Sequence, residues 1–263
     1  MPTLTEVVAA LERIAPLRLA ADWDAVGLLV APRGGDVRRI VVCLTLTPEV
    51  AAEAARERAD LVVTHHPLPF RPIGRITPET GTGRVLLELV AAGCGVWSSH
   101  TAWDSAAGGI NDQLASLLSL DAVVPIVPDP IDPSVGFGRL GRSAVGQTPA
   151  ALGRLLADRL GARGVQLVAD DDQREAGRVG VVCGSGGDLV GRVADEGCRT
   201  LVTGEIKLHQ AIEARAAGLA VVAVGHHASE YFSMVELSRR LVAETPGLEA
   251  RVAASDRDPI TWP

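Results

Sequence analysis

The strongest constraint on this chain is the regular exchange of short apolar runs with helical stretches. Arg39–Leu46, Leu61–Thr64 and Cys94–Ser99 read as buried strands, and residues 48–59 and 84–92 between them as helices. Thr47-Pro48-Glu49 is a helix start, with a cap residue, a proline at the first position and an acid in the first turn. Gly93 is placed to stop the helix before the third strand. Further helices are expected at 110–118, 149–160 and 229–243, and strands at 137–145, 165–169, 179–183, 200–203, 219–224 and 248–253. Residues 170–177, DDDQREAG, read as a polar turn. Strands alternating with single helices imply an α/β fold with mainly parallel or mixed sheets and right-handed crossovers.

The pattern occurs twice. Val41-Val42-Cys43 leads to Thr64, and Val181-Val182-Cys183 leads to Thr203 at nearly the same interval. Both stretches then reach Ala-Ala-Gly, a short apolar strand and a histidine with an acid four places on: His100 with Asp104, His226 with Glu230. Two related lobes from a duplication account for this. Residues 121–136, with four prolines, are the expected linker. The expected organisation is a first lobe over 1–127, a second over 128–224, and a segment 225–263 returning to the first, with a metal cleft between the lobes.

Composition narrows the function. Hydrophobic residues make up 47% and charged residues 22%, which suits a folded protein and not a disordered one. A net charge of -7 argues against a general nucleic-acid-coating surface, leaving room only for a local basic cleft. Aromatics are 3%, so base-stacking surfaces are not expected. Cys43, Cys94, Cys183 and Cys198 have no Cys-x-x-Cys spacing and read as small buried hydrophobes. The N-terminal stretch lacks a signal-peptide pattern and reads as a helix with Thr3 and Glu6 as a capping box. No apolar run is long enough for a membrane, so a cytoplasmic protein is expected.

The chemistry gathers where ligands collect in open α/β sheets, at the carboxyl ends of strands. His65 and His66 follow one strand, His100 the next, His226 and His227 another. Adjacent residues of a regular strand face opposite sides. Pro67 ends the strand, and a terminated, twisted strand end aims both imidazoles into one cleft. Imidazoles with Asp104 and Glu230 suit borderline divalent metals (Zn, Fe, Mn or Co), and the donor number suits two ions with bridging carboxylates. Glu205 and His209 repeat the strand-end pattern, Lys207 is the sole lysine, and GSGG at 184–187 fits a tight turn better than a phosphate loop.

The segments THHPLPF, HTAWD with the following GGIND, and GHHASE resemble the signature blocks of the NIF-three-like (YbgI-type) dinuclear-metal family, often labelled type-two GTP cyclohydrolase I. DWDAVGLLV and TGEIKLHQA are similar to further blocks, so the resemblance spans about residues 20–240. It implies a toroidal homohexamer with two metals per subunit, held by His65, His66, Asp104, His226 and Glu230. The family usually has Asn-Leu where this chain has Ala102-Trp103, a departure on the substrate side of the site. The implied activity is metal-dependent hydrolysis of a small molecule or nucleotide, such as ring opening of GTP by an activated water, with His100 or Glu205 moving protons. The alternative is a metal-binding or regulatory ring that works by interaction.

Overall fold

The computed structural model describes residues 1–171 and 173–261. Asp172, inside the expected polar turn, lies outside the described residues. The chain divides into two units. The first comprises Met1–Ala106 and Ser233–Pro259, the second Ala107–Phe232 with the chain end from Ile260.

In the first unit, α1 (Leu4–Ile14) leads to β1 (Gly27–Val30), β2 (Arg39–Cys43), α2 (Pro48–Arg56), β3 (Leu61–Thr64), α3 (Gly81–Ala92), β4 (Gly95–Ser98) and α4 (His100–Ser105). The second unit holds α5 (Ile110–Leu117), β5 (Asp121–Pro128), β6 (Gly136–Arg142), α6 (Pro149–Leu160), β7 (Gln166–Val168) and β8 (Arg178–Ser185). It continues through α7 (Val190–Asp195), β9 (Thr200–Glu205), α8 (Leu208–Ala216), β10 (Ala220–Ala223) and α9 (His226–Tyr231). The chain then returns to the first unit as α10 (Ser233–Glu244) and β11 (Glu249–Val252).

Local chemistry sets the helix ends. Thr3 accepts from the Glu6 amide at 3.3 Å while Glu6 accepts from the Thr3 amide at 2.7 Å, closing the capping box. Thr47 caps α2 with Pro48 in its first turn, and Gly93 ends α3 at φ 76°, where a Cβ would be strained.

The first sheet has the order β1-β4-β3-β2-β11, parallel except for β1. The second has the order β5-β6-β8-β9-β10-β7; β8, β9 and β10 run parallel and the others antiparallel. Both are mixed sheets flanked by helices. The segment β1-β4-β3-β2 of the first has the same connectivity and directions as β7-β10-β9-β8 of the second. The repeated sequence pattern is therefore a repeated topology. β3, β4 and β10 are buried along their whole length, which is why they read as continuous apolar runs. Val41, Val62, Val85, Leu89 and Val96 form one core; Leu140, Val182, Val193, Leu201 and Val221 form the other. Each such side chain contributes about 1.5–3 kcal/mol by leaving water.

Three expectations change. Residues 121–136 are not a linker: β5 pairs along β6, from Asp121 against Arg142 to Pro128 against Gly136. Pro125 and Pro128 fit because β5 is an edge strand, whose outer amides have no ladder to join, and Pro130 and Pro133 lie in the turn that leads to β6. The change of unit falls after Ala106 and again after Phe232, where the sequence reading placed it at 127/128 and 224/225. The helix expected at 229–243 is two helices, α9 and α10, one in each unit.

Candidate metal centre

In the first unit, β3 and β4 lie in register, with Thr64 opposite Ser98, so the residues beyond them emerge side by side. The His65 and His66 amides donate to the Cys43 and Leu44 carbonyls, both at 2.9 Å. Thr64 Oγ1 donates to the His66 carbonyl at 3.0 Å, and Ser98 Oγ to the His65 carbonyl at 2.7 Å. Two hydroxyls from the strand ends thus fix the backbone of the histidine pair. The ring centroids of His65 and His66 are 5.1 Å apart, and His100 stands 5.1 Å from His65 and 5.6 Å from His66. Each of the three offers a nitrogen, and these atoms lie within 4.8 Å of one another.

The supporting groups are specific. Thr45 Oγ1 meets His66 Nδ1 at 2.9 Å. Asp24 Oδ1 meets His100 Nδ1 at 2.7 Å, and Asp24 Oδ2 accepts from the amide and hydroxyl of Thr101. Burial alone would raise the Asp24 pKa, but these bonds from His100 and Thr101 hold it below the ordinary value. A carboxylate on the far nitrogen of an imidazole fixes its tautomer and orientation, as around metal-bound histidines. His100 opens α4 at φ 27°, a backbone angle costly for a residue with a Cβ. Asp104, one turn on, reaches back to His65 Nε2 at 3.7 Å, and both side chains are buried.

In the second unit, Gly225 with φ 99° turns the chain from β10 into α9, which begins at His226. His226 Nε2 meets Glu230 at 3.1 Å and His226 Nδ1 meets Glu205 at 3.2 Å. Glu230 and then Glu205 raise the His226 pKa to about 9 against its burial, so it carries a proton at neutral pH that an arriving cation would displace. Gly184 and Gly204 make room for this helix start. A Cβ on Gly184 would come within 2.2 Å of Glu230 Oε1, and one on Gly204 within 2.5 Å of Ser229 Oγ. The Gly184 and Gly186 amides donate to Ser229 and Thr203, so the GSGG turn spends them internally and not on a phosphate nest.

The structure thus brings His65, His66, His100 and Asp104 together in the first unit, and Glu205, His226 and Glu230 together in the second. In the first unit the nitrogens of His65, His66 and His100 lie close enough together to hold a divalent cation. His227 stacks on Tyr231 at 4.7 Å, and Lys207 and His209 are exposed at the start of α8. The cysteines are buried; burial pushes Cys94 up to about 12, outside nucleophile range. The sequence reading missed Asp24 and Thr45. The string DWDAVGLLV contained Asp24, but pairing it with His100 needs the antiparallel β1–β4 contact, which no spacing reveals.

A two-unit α/β protein with histidine and carboxylate clusters at its strand ends is the class defined by this geometry. The chain belongs to the family described as Duf34/NIF3 (NGG1p interacting factor 3), whose model matches residues 2–259. It is 30% identical over 260 residues to a GTP cyclohydrolase 1 type 2 homolog of Clostridium perfringens, covering 98% of this chain and 99% of the relative. It is 36% identical over 236 residues to a protein of the same name from Streptomyces coelicolor, covering 88% and 82%. The fold matches the crystal structure of a Bacillus cereus protein related to NIF3, with TM-score 0.90 at 18% identity over 99% of both chains. No helix among the described residues is long and apolar enough to cross a membrane.

Proposed function

We propose that the chain is a dinuclear metal-dependent hydrolase in which His65, His66, Asp104, His226 and Glu230 hold two divalent ions of the Zn, Fe, Mn or Co type. The observation that carries this reading is the close group of His65, His66 and His100, whose nitrogens lie within 4.8 Å, with Thr45 on His66, Asp24 on His100 and Asp104 beside His65. Bound divalent ions lower the pKa of water toward neutrality and polarise the bond under attack. The protein's own part is placement and proton transfer. With Thr45 on His66 Nδ1, Nε2 would be the nitrogen that holds an ion. Asp24 on His100 Nδ1 directs the other nitrogen of His100 to carry protons, with Glu205 as the second carrier. By its relatives' printed names, the substrate is a guanine nucleotide, with water attacking the imidazole carbon and opening that ring. We also infer a homohexamer, from the family resemblance.

The test is turnover. Metal-replete protein, its ion content fixed by elemental analysis, is incubated with GTP and a panel of phosphoesters. A ring-opened, formyl-bearing product is expected; unchanged GTP and esters with two ions bound would reject the hydrolase reading. The family description, an interacting factor, favours a second reading in which the same site serves a metal-binding interaction protein. Retained ions without turnover on any substrate is the result that selects it. Light scattering tests the hexamer, and a monodisperse monomer rules it out.

A further inference from the structure

Only eight residues of this chain are Phe, Trp or Tyr: three, four and one respectively. Trp97 and Trp103 are buried, and their indole N–H groups donate to Ser99 and Ser233 at 3.1 and 2.9 Å. Those two are built into the core. Trp23 and Phe70 are different, 66% and 47% exposed. They stand with ring centroids 6.1 Å apart, and 6.0 and 6.2 Å respectively from His100. The interplanar angles are 65°, 76° and 86°, so the rings meet edge to face and no two of them are stacked, which with their exposure leaves ring surface of Trp23 and Phe70 open to solvent.

Trp23 is held firmly despite its exposure. The Ala21 amide donates to Thr101 Oγ1 at 3.0 Å, the Asp24 amide to the Ala21 carbonyl at 2.9 Å, and Asp24 accepts from Thr101 and pairs with His100. The backbone on either side of Trp23 is therefore tied to the start of the helix that carries His100. Phe70 ends the THHPLPF segment, four residues beyond His66. Both rings thus belong to the segments that position the histidine cluster.

We propose that Trp23, Phe70 and His100 form a stacking subsite for a flat heteroaromatic ring of the nucleobase type, next to the three-histidine cluster. An open aromatic face takes two kinds of partner, a cation or another π-system. A cation would have to sit beside imidazoles that the hydrolase reading places around divalent ions, and like charges repel at that range. A neutral planar ring has no such penalty and gains from stacking on any aromatic face. This inference rests on the proposed hydrolase and names the part of its substrate that the protein holds. It departs from the compositional expectation: aromatic rings are few, but Trp23 and Phe70, the exposed ones among the described residues, stand beside His100.

The test measures binding, not activity. Metal-loaded protein is titrated calorimetrically with guanosine, with imidazole-free ribose 5-phosphate as the ligand lacking a base, and with the free base guanine. Trp23→Ala is expected to weaken guanosine and guanine on the order of 10–100-fold, the range of base–aromatic stacking. Trp23→Phe should restore most of the affinity, and ribose 5-phosphate should be indifferent to both changes. Binding of guanosine but not guanine would assign the subsite to nucleosides; equal binding would assign it to the heterocycle itself. The proposal is overturned if wild type does not bind guanosine, if Trp23→Ala leaves its affinity unchanged, or if it weakens ribose 5-phosphate equally. Thermal melts check that the variants are folded. Loss of the Trp23 effect with intact turnover sinks the stacking alone. An intact Trp23 effect without turnover sinks the hydrolase reading alone.

Discussion

Helices α4 and α9 begin in the same way and end in different chemistry. Each has six residues, starts on a histidine just past a parallel strand, and carries an acid four residues on. On a helix that spacing puts the two side chains on one face. In the second unit they meet: His226 Nε2 lies 3.1 Å from Glu230, with Glu205 on the other nitrogen. In the first unit they do not. Asp24 takes His100 at 2.7 Å, and Asp104 turns instead to His65 at 3.7 Å. A carboxylate from outside the motif therefore decides what the motif does. The second set is one imidazole between two acids; the first is three imidazoles sharing two. Repeated spacing gives equivalent positions in the two topologies, while unrepeated neighbours give them different partners.

The hardest test of this comparison removes the acids that both motifs retain. Asp104→Asn keeps the volume and removes the charge, which in the proposed dinuclear site would leave close cations poorly neutralised. At least one ion and all hydrolytic turnover should be lost, with the fold intact because the core lies in the strands. Glu230→Gln should act alike. The effect should exceed the ~10–100-fold typical of groups that merely orient a ligand. Elemental analysis decides, and two ions retained by Asp104→Asn would refute the ligand assignment.

A second test acts on space and not charge. Gly184→Ala puts a methyl 2.2 Å from Glu230 Oε1 and 3.2 Å from His226 Nε2, at a φ of 59°. The acid must move, so metal content should fall although no donor has been deleted. Gly161→Ala is the control: its φ is 66° and nothing lies within 4 Å. It should cost only the left-handed strain of about 1–2 kcal/mol and leave metal content alone. Equal metal content in the two variants would show that the cradle does not position Glu230.

The units also differ in how they bury charge outside the site. The first unit buries Glu53 on α2, which accepts from the Ala254 and Ser255 amides at 2.9 and 2.8 Å and from Arg251. The second buries Arg139, which donates to Asp112 and to the Gly136 and Gly138 carbonyls. Burial would raise the Glu53 pKa, but its bonds from Ser255, Ala254 and Arg251 outweigh it and bring the value to about 2 from 4.5. A folded pKa below the unfolded one stabilises above the unfolded value and loses that contribution as pH falls. Glu53→Gln should therefore cost roughly 3 kcal/mol at pH 7, with the gap to wild type closing between about pH 4.5 and 2. Urea unfolding across that range measures it, and a gap independent of pH would refute the linkage.

Much of this was legible because it is local or periodic. Cap residues, apolar runs and Pro67 report on neighbours in sequence, and the paired histidine–acid spacing repeats with the topology. What was hidden depends on long-range pairing. The 121–136 segment looked like a linker because proline marks breaks, and only its edge position makes strand pairing compatible with it. The short helices α4 and α9 lack the length that periodicity needs. Thr45 and Asp24 lie 21 and 76 residues from the histidines they hold, so nothing local links them.

The smallest expected effect comes from the contact that separates the two motifs. If Asp24 only orients His100, then Asp24→Asn and His100→Ala should both retain the ions, because neither removes a proposed ligand. Asp24→Asn keeps a hydrogen-bonding group beside His100 Nδ1 but loses the charge that fixes its tautomer. Turnover should then drop about 10–100-fold in each single variant, as for other groups acting through a ligand or proton carrier. The double variant should be no worse than His100→Ala, since Asp24 would have nothing left to orient. A different result follows if His100 is itself a ligand, as its place within 4.8 Å of His65 and His66 allows. His100→Ala would then lose an ion, and the first unit would hold metal by three imidazoles where the second uses two acids. Ion counts on these three variants separate the cases, with turnover and its pH profile as the second readout.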